Sequence, residues 1–200
     1  MVSEHALLAL IHGRRSIRRY LDRPVPRETL GRMLEAARWA PSAHNRQPWR
    51  FAVLEDATRR ASLAAAMGER FRADLLADGL SMEAVDRQVR RSYERIAHAP
   101  VVIVFFVSLV DMDQYPDPAR QESERAMAVQ SVALAAQNLL LQAHAEGLGA
   151  CWMCAPLFCP DVVGDVLDLP PEWRPQGLVT VGYPAEQKEK TRHPLGTRVL

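Results

Sequence analysis

What this chain has little of narrows its function before any motif does. Only three cysteines occur in 200 residues. Cys151, Cys154 and Cys159 are an odd number crowded together, which argues against a disulfide framework and makes a cytoplasmic setting the expectation. Excess charge of either sign is missing too. Lysine and arginine total 25 against 24 aspartates and glutamates, a net charge of +1, so no global field draws the protein to nucleic acid or to an acidic membrane. The longest apolar run, residues 99–107, is too short to span a bilayer as a helix. Residues 1–11 lack the basic start and long apolar core of a signal peptide. There is no Gly-x-Gly-x-x-Gly and no P-loop, so neither a dedicated dinucleotide domain nor an ATPase is indicated. The six histidines are scattered without metal-ligand spacing. Cys151 and Cys154 stand three apart on an expected strand, facing opposite sides and lacking a fourth ligand nearby, so neither a metal site nor a redox pair is expected there. No Ser/His/Asp arrangement, repeat or low-complexity tract stands out.

What is present is an apolar fraction of 48% in a length that suits one domain spanning residues 1–200. Ser3 can cap a first helix to about His12, with Leu7, Leu8 and Ile11 on one side and Gly13 as its stop. A second helix carries Leu30, Met33, Leu34 and Ala37 at helical spacing. Residues 49–54 alternate as a strand, and Asp56 caps a helix to about Met67. Residues 71–79 read as a connector. Ser81 opens a helix lined by Met82, Val85, Val89, Tyr93 and Ile96. Arg87, Arg91 and Arg95 form a stripe on another face, either solvated surface or a contact for an anionic substrate. Residues 99–107 read as a buried central strand, and 111–122 as a surface loop or lid. Ser123 opens a long helix ended by Gly147, too apolar all round to lie on a free surface. Strands at 149–154 and 177–183 flank a short helix at 161–167.

Two stretches carry the chemistry. The first is Arg14-Arg15-Ser16-Ile17-Arg18-Arg19-Tyr20. Cations just past a helix C-terminus favour its negative end, which accounts for one or two arginines but not four around a serine. Guanidinium forks fit phosphate oxygens, and a hydroxyl adds a donor. The second is Ala40-Pro41-Ser42-Ala43-His44-Asn45-Arg46-Gln47-Pro48-Trp49-Arg50-Phe51. Pro41 and Pro48 force the segment out of helix, so it is expected to be extended and irregular. Ser42, Asn45 and Gln47 can donate and accept hydrogen bonds. Such a loop suits the polar rim of a flat heterocycle; on the residues alone, an ordinary solvated connection fits as well.

In order and separation, these two stretches resemble the signature loop and the phosphate-contacting start of the flavin-dependent nitroreductase family. The resemblance extends along nearly the whole chain. It implies an α+β nitroreductase-like fold, a mostly antiparallel sheet flanked by helices in an intertwined homodimer with FMN at the interface. By this likeness Arg14, Arg15 and Ser16 hold the phosphate and ribityl chain, and Arg18 lies near the ring, where a cation stabilises the reduced anion. Pro41, Ser42, Ala43, Asn45 and Gln47 belong to the loop that serves the partner's flavin. Residues 147–153 resemble a second flavin-facing segment. Met153, Cys154 and Ala155 match the region that offers a backbone N–H to the ring. Lys190 and Arg192 occupy the place where a tail, from about residue 184, closes the phosphate site. No side chain is named as acid or base. The implied activity is transfer of hydride from NAD(P)H through FMN to a small electron-poor substrate in a ping-pong cycle. Residues 40–51, 152–158, 169–175 and 181–185 are also similar to the reductase domain of the bifunctional ligase of deazaflavin-coenzyme biosynthesis, although a ligase domain is not expected within these 200 residues. Reduction of an unsaturated deazaflavin precursor is therefore an alternative. A non-catalytic flavin- or deazaflavin-binding protein is another.

Overall fold

The computed structural model describes residues 4–194 and 196; the cap expected at Ser3 lies outside them. The sheet is the frame. Its strands are β1 (Trp49–Leu54), β2 (Val101–Val107), β3 (Gly149–Met153) and β4 (Arg174–Gly182). They run in the order β1-β2-β4-β3, every neighbouring pair antiparallel. β2 is central because it is apolar on both faces, and all seven of its residues are buried. Val101, Ile103, Phe105 and Val107 enter one core, while Val102, Val104 and Phe106 enter the other. The period-two alternation of a strand delivers this division.

The first core is closed by α2 (Arg27–Arg38) and α5 (Pro118–Ala145), the second chiefly by α3 (Ala57–Ala77) and α6 (Pro160–Leu167). Packed on α3 is α4 (Met82–Ala97). Phe105 meets Phe51 and Trp152 edge-on, with ring centroids 5.1 and 5.3 Å away. Gly177 is required beneath Trp152: a Cβ there would come within 2.4 Å of the indole ring.

Helix α5, about 42 Å long at its 28 residues, lines the first core with Ala128, Val132, Ala135, Leu139 and Ala143. The preceding α1 (Glu4–Gly13) leaves Leu7 and Leu8 each 53% exposed and Ile11 44%, and on α5 Leu134 is 46% exposed. No helix among the described residues is long and apolar enough to cross a membrane.

Three boundaries differ from the sequence expectation. The connector expected at 71–79 is mostly helix, because α3 continues to Ala77, burying Leu75. α5 begins at Pro118, where the Asp117 carboxylate accepts from the Arg120 N–H at 2.9 Å. Ser123 is therefore inside the helix, its hydroxyl donating back to the Ala119 carbonyl, and the surface loop is shorter. Strand β4 starts at Arg174 rather than 177. The caps at Asp56 and Ser81 are as expected, accepting from the Arg59 and Ala84 N–H groups.

Candidate functional site

The arginine-rich segment lies along the edge of the sheet. Ser16 bridges Ala150 of β3, and the Ile17 N–H donates to the Ala150 carbonyl at 3.1 Å. Ile17 is buried, so its neighbours Ser16 and Arg18 are fixed to either side. The chain end returns to this place. Leu21 N–H donates to the Tyr183 carbonyl, and Ala185 N–H to the Arg19 carbonyl. Together Arg14, Arg15, Ser16 and Arg18, with Lys188, Lys190 and Arg192 from the tail, line a cavity of about 420 Å³.

Six cations around one cavity repel one another. Arg15 is held by backbone: its Nε donates to the Lys188 carbonyl at 3.1 Å, and its Nη1 to the Arg14 and His12 carbonyls. The Arg14 side chain makes no hydrogen bond or ion pair among the described residues. Burial, then Arg192 and Arg15, push its pKa below the ordinary arginine value. A guanidinium desolvated among like charges is a group arranged for an anion.

A second cavity, of about 410 Å³, adjoins the first and shares Arg18 and Lys188 with it. Arg91, Arg95 and His98 face it from α4 and its C-terminus. Arg95 is also lowered, by burial first and then by Arg18 and Arg91. The stripe seen in sequence therefore divides: Arg91 and Arg95 turn into the cavity, while Arg87 pairs with Glu83 on the same helix. Glu186 also lines this cavity. It accepts from the Arg18 N–H at 2.7 Å and pairs with Lys188 at 2.9 Å. Burial works against its charge, yet these two partners hold its carboxyl below the usual range. Beneath, the Tyr20 hydroxyl lies 2.6 Å from the Ile17 carbonyl and 2.7 Å from Thr180 Oγ1, pinning the segment to β4. Burial pushes its pKa up.

The signature loop lies elsewhere. It precedes β1, the opposite edge strand, at the end where Trp49 faces Val107; Ala150 pairs with Val181 near the other end. The two motifs thus occupy diagonally opposite corners of the sheet, and a single chain does not bring them together. The loop is also not simply extended. Residues 43–45 form a 3-10 turn, and His44, Asn45 and Gln47 adopt positive φ of 50°, 53° and 50°. Non-glycine residues reach that region at a cost of order 1–3 kcal/mol each, so the surroundings must hold them. Ser42 Oγ accepts from the Gln47 N–H at 3.1 Å, and Ser131 Oγ on α5 accepts from the Ala43 N–H at 3.2 Å. Pro41, Asn45 and Gln47 are exposed.

Met153 ends β3, on the same edge as Ser16 and about 10 Å further along at strand rise from Ala150. Cys154 is exposed, with Trp152 Nε1 donating to its Sγ at 3.0 Å, and Ala155 begins a 3-10 turn. Sequence reasoning singled out Lys190 and Arg192 but not Lys188 or Glu186. The signal for Lys188 was its place in a basic tail; only the return of the chain shows that it reaches both cavities.

Residues 11–183 match the sequence model of the Nitroreductase family. The chain belongs to the nitroreductase family. As a member it is an FMN-dependent oxidoreductase with NAD(P)H as electron donor. Among similar proteins are an NADH dehydrogenase of Thermus thermophilus, 35% identical over 87% of this chain and 84% of its own length, and a 5,6-dimethylbenzimidazole synthase of Rhodospirillum rubrum, 31% identical over 90% and 82%. A crystal structure of a nitroreductase-type protein from Desulfovibrio desulfuricans, in complex with FMN, superposes with a TM-score of 0.73 at 28% identity. It covers 96% of this chain and 94% of its own. The antiparallel sheet flanked by helices is the nitroreductase fold that the motifs implied.

Proposed function

We propose that this nitroreductase-family member binds FMN with its phosphate in the cavity between residues 14–18 and the tail, and passes hydride from NAD(P)H to a small electron-poor acceptor by a ping-pong cycle. The observation that carries the reading is the unpaired, desolvated Arg14 in a cavity of six cations. The residues fit the group: a phosphate dianion satisfies guanidinium forks that have no carboxylate partner, and Ser16 adds a hydroxyl. Bound FMN supplies the two-electron chemistry that no side chain here could perform.

The chain's own residues set the conditions. Arg14, Arg15, Lys190 and Arg192 bind the anionic end and relieve their mutual repulsion. Arg18, Arg95 and Lys188 concentrate positive potential where the two cavities join, and so stabilise negative charge that develops there. Met153, Cys154 and Ala155, further along the same edge, are positioned to offer backbone donors. Pro41, Ser42, Ala43, Asn45 and Gln47, at the far corner, serve the site of a second copy. The exposed apolar side chains Leu7, Leu8, Ile11 and Leu134 support a homodimer, because a patch of that kind is buried in assembly. One cavity system then admits donor and acceptor in turn, which is why the cycle is ping-pong.

The test is anaerobic mixing of the purified, flavin-loaded protein with NADH or NADPH. Bleaching of the visible flavin absorbance, then recovery on adding a nitroaromatic or quinone, is expected. Colour that persists with both nucleotides overturns catalysis and leaves a binding protein. A second reading comes from the relative named 5,6-dimethylbenzimidazole synthase, whose product carries the same dimethylated benzene ring as a flavin. On that reading the flavin is itself consumed with oxygen. Aerobic incubation with excess FMN and NADH or NADPH, which supplies the reduced flavin that oxygen attacks, distinguishes the two: release of dimethylbenzimidazole supports it, and intact flavin excludes it.

A further inference from the structure

Away from the cationic crevice, three side chains converge that the flavin chemistry does not use. His44 is in the turn before β1, Asp113 in the connection between β2 and α5, and Glu124 in the second turn of α5. A ring nitrogen of His44 and a carboxylate oxygen from each acid all lie within 4.8 Å of one another. Glu124 is fully buried. Its Oε1 accepts from the Asp113 N–H at 3.2 Å, but Oε2 has no hydrogen-bond partner among the described residues. Buried polar atoms are nearly always satisfied, and a carboxylate oxygen left bare is among the costliest exceptions. Arg46 Nη2 pairs with Asp113 Oδ1 at 2.6 Å, which orients that carboxylate while no hydrogen bond among the described residues engages its other oxygen. Among the described residues the His44 ring is likewise without a hydrogen bond, and its backbone is held at φ 50°.

We propose that His44, Asp113 and Glu124 form a binding site for one divalent transition-metal cation of the Zn²⁺ or Mn²⁺ type. One imidazole nitrogen and two carboxylate oxygens suit such ions; the set has too few oxygens for calcium and no thiolate for a soft metal. Bonds of about 2.0–2.2 Å to a shared ion place ligand atoms roughly 3–4 Å apart, so binding needs only small movements of the exposed His44 and the half-buried Asp113. Two carboxylates against the single cation Arg46 leave a negative site, which a dication reverses. Arg46 then acts on Asp113 as outer partners of metal ligands do, fixing its orientation. The ion would tie the 43–47 turn to α5 and to the 111–113 connection, holding the positive-φ backbone that presents Asn45 and Gln47. Sequence spacing could not reveal the site, because His44 and Glu124 are eighty residues apart and only the fold joins them.

The experiment uses tag-free, full-length, flavin-loaded protein, stripped with chelator and titrated with ZnCl2 or MnCl2 alone. Metal content is measured after dialysis, and Mn²⁺ binding by loss of the free-ion EPR signal. One equivalent per chain is expected, with thermal unfolding shifted upward by the metal. His44→Gln and Glu124→Gln should each weaken binding by about tenfold or more, whereas His5→Gln, on exposed α1, should bind as the parent does. His44 is exposed, so its variant tests the site even if the Glu124 substitution disturbs folding. Absence of stoichiometric uptake, or uptake unchanged in His44→Gln, overturns the proposal. The outcome is independent of flavin reduction, since neither readout depends on turnover.

Discussion

Arg14 is where the phosphate assignment is most exposed to test. Its neighbours have partners: Arg15 donates to backbone carbonyls, and the Arg18 N–H is taken by Glu186. Among the described residues the Arg14 side chain has no hydrogen bond or ion pair, and burial with Arg192 lowers its pKa. Removing it takes repulsion out of the folded protein while deleting a charged hydrogen bond to the ligand. Arg14→Ala is therefore expected to fold at least as stably as the parent, yet to lose about 2 kcal/mol of FMN affinity, roughly 30-fold in Kd. Flavin fluorescence titration of the apoprotein measures it, with a thermal melt beside it. Equal affinity would move the phosphate elsewhere. The cluster was legible in sequence because four arginines around one serine exceed what a helix end requires. Lys188 was not, since a tail residue gains meaning only from the point to which the chain returns.

Among elements, the edge strand β3 and the segment bridged to it carry the site together. Gly149 allows this. A Cβ there would come 2.7 Å from the Ile17 Cβ, a branched, buried atom that cannot swing aside. Gly149→Ala should push residues 16–18 off the strand and so weaken FMN binding without touching any ligand-facing atom. A several-fold rise in Kd together with a loss of about 1–3 kcal/mol in stability is expected, read by flavin titration and urea unfolding. A neutral result would show that the bridge at Ser16 is not what positions the arginines. Strong local patterns gave most of the element order correctly: the all-apolar β2, the Asp56 and Ser81 caps, the helical spacing of Leu30, Met33 and Ala37. The failures share a cause. At 71–79 and at 118–122 polar, Pro-containing or charge-rich residues looked like loop, but α3 continues because Leu75 reaches a core, and α5 starts early because Asp117 caps an exposed first turn with Pro118 at its start. The turn at 43–45 was missed because positive φ at His44 and Asn45 is imposed by Ser42, Ser131 and packing, none of which is a property of the dipeptide.

For the whole molecule, two consequences follow from what is held to what. Arg32 on α2 and Glu146 after α5 join the ends of two helices through a bidentate pair, both contacts at 2.7 Å. Glu146 is thereby depressed from 4.5 to about 2, first by its hydrogen bond to Arg32. A carboxyl whose folded pKa is lowered stabilises above the unfolded value and loses that contribution as pH falls through the folded one. The parent should therefore lose thermal stability between pH 4.5 and 2, and Arg32→Ala should show a shallower acid limb in melts across that window. The larger consequence concerns assembly. The arginines and the signature loop stand at opposite corners of one sheet, so on the proposed function a complete site takes the loop of one copy beside the arginines of another. In a two-fold dimer, one chain carrying Arg14→Ala and the other Asn45→Ala would place both defects in one site and leave the other intact. Each homodimer would hold flavin weakly at both positions. The heterodimer, isolated by two different tags after co-expression, should bind about one FMN per pair of chains with the parent's affinity. If the loop instead serves the arginines of its own chain, every site in that heterodimer is damaged and no tight binding survives.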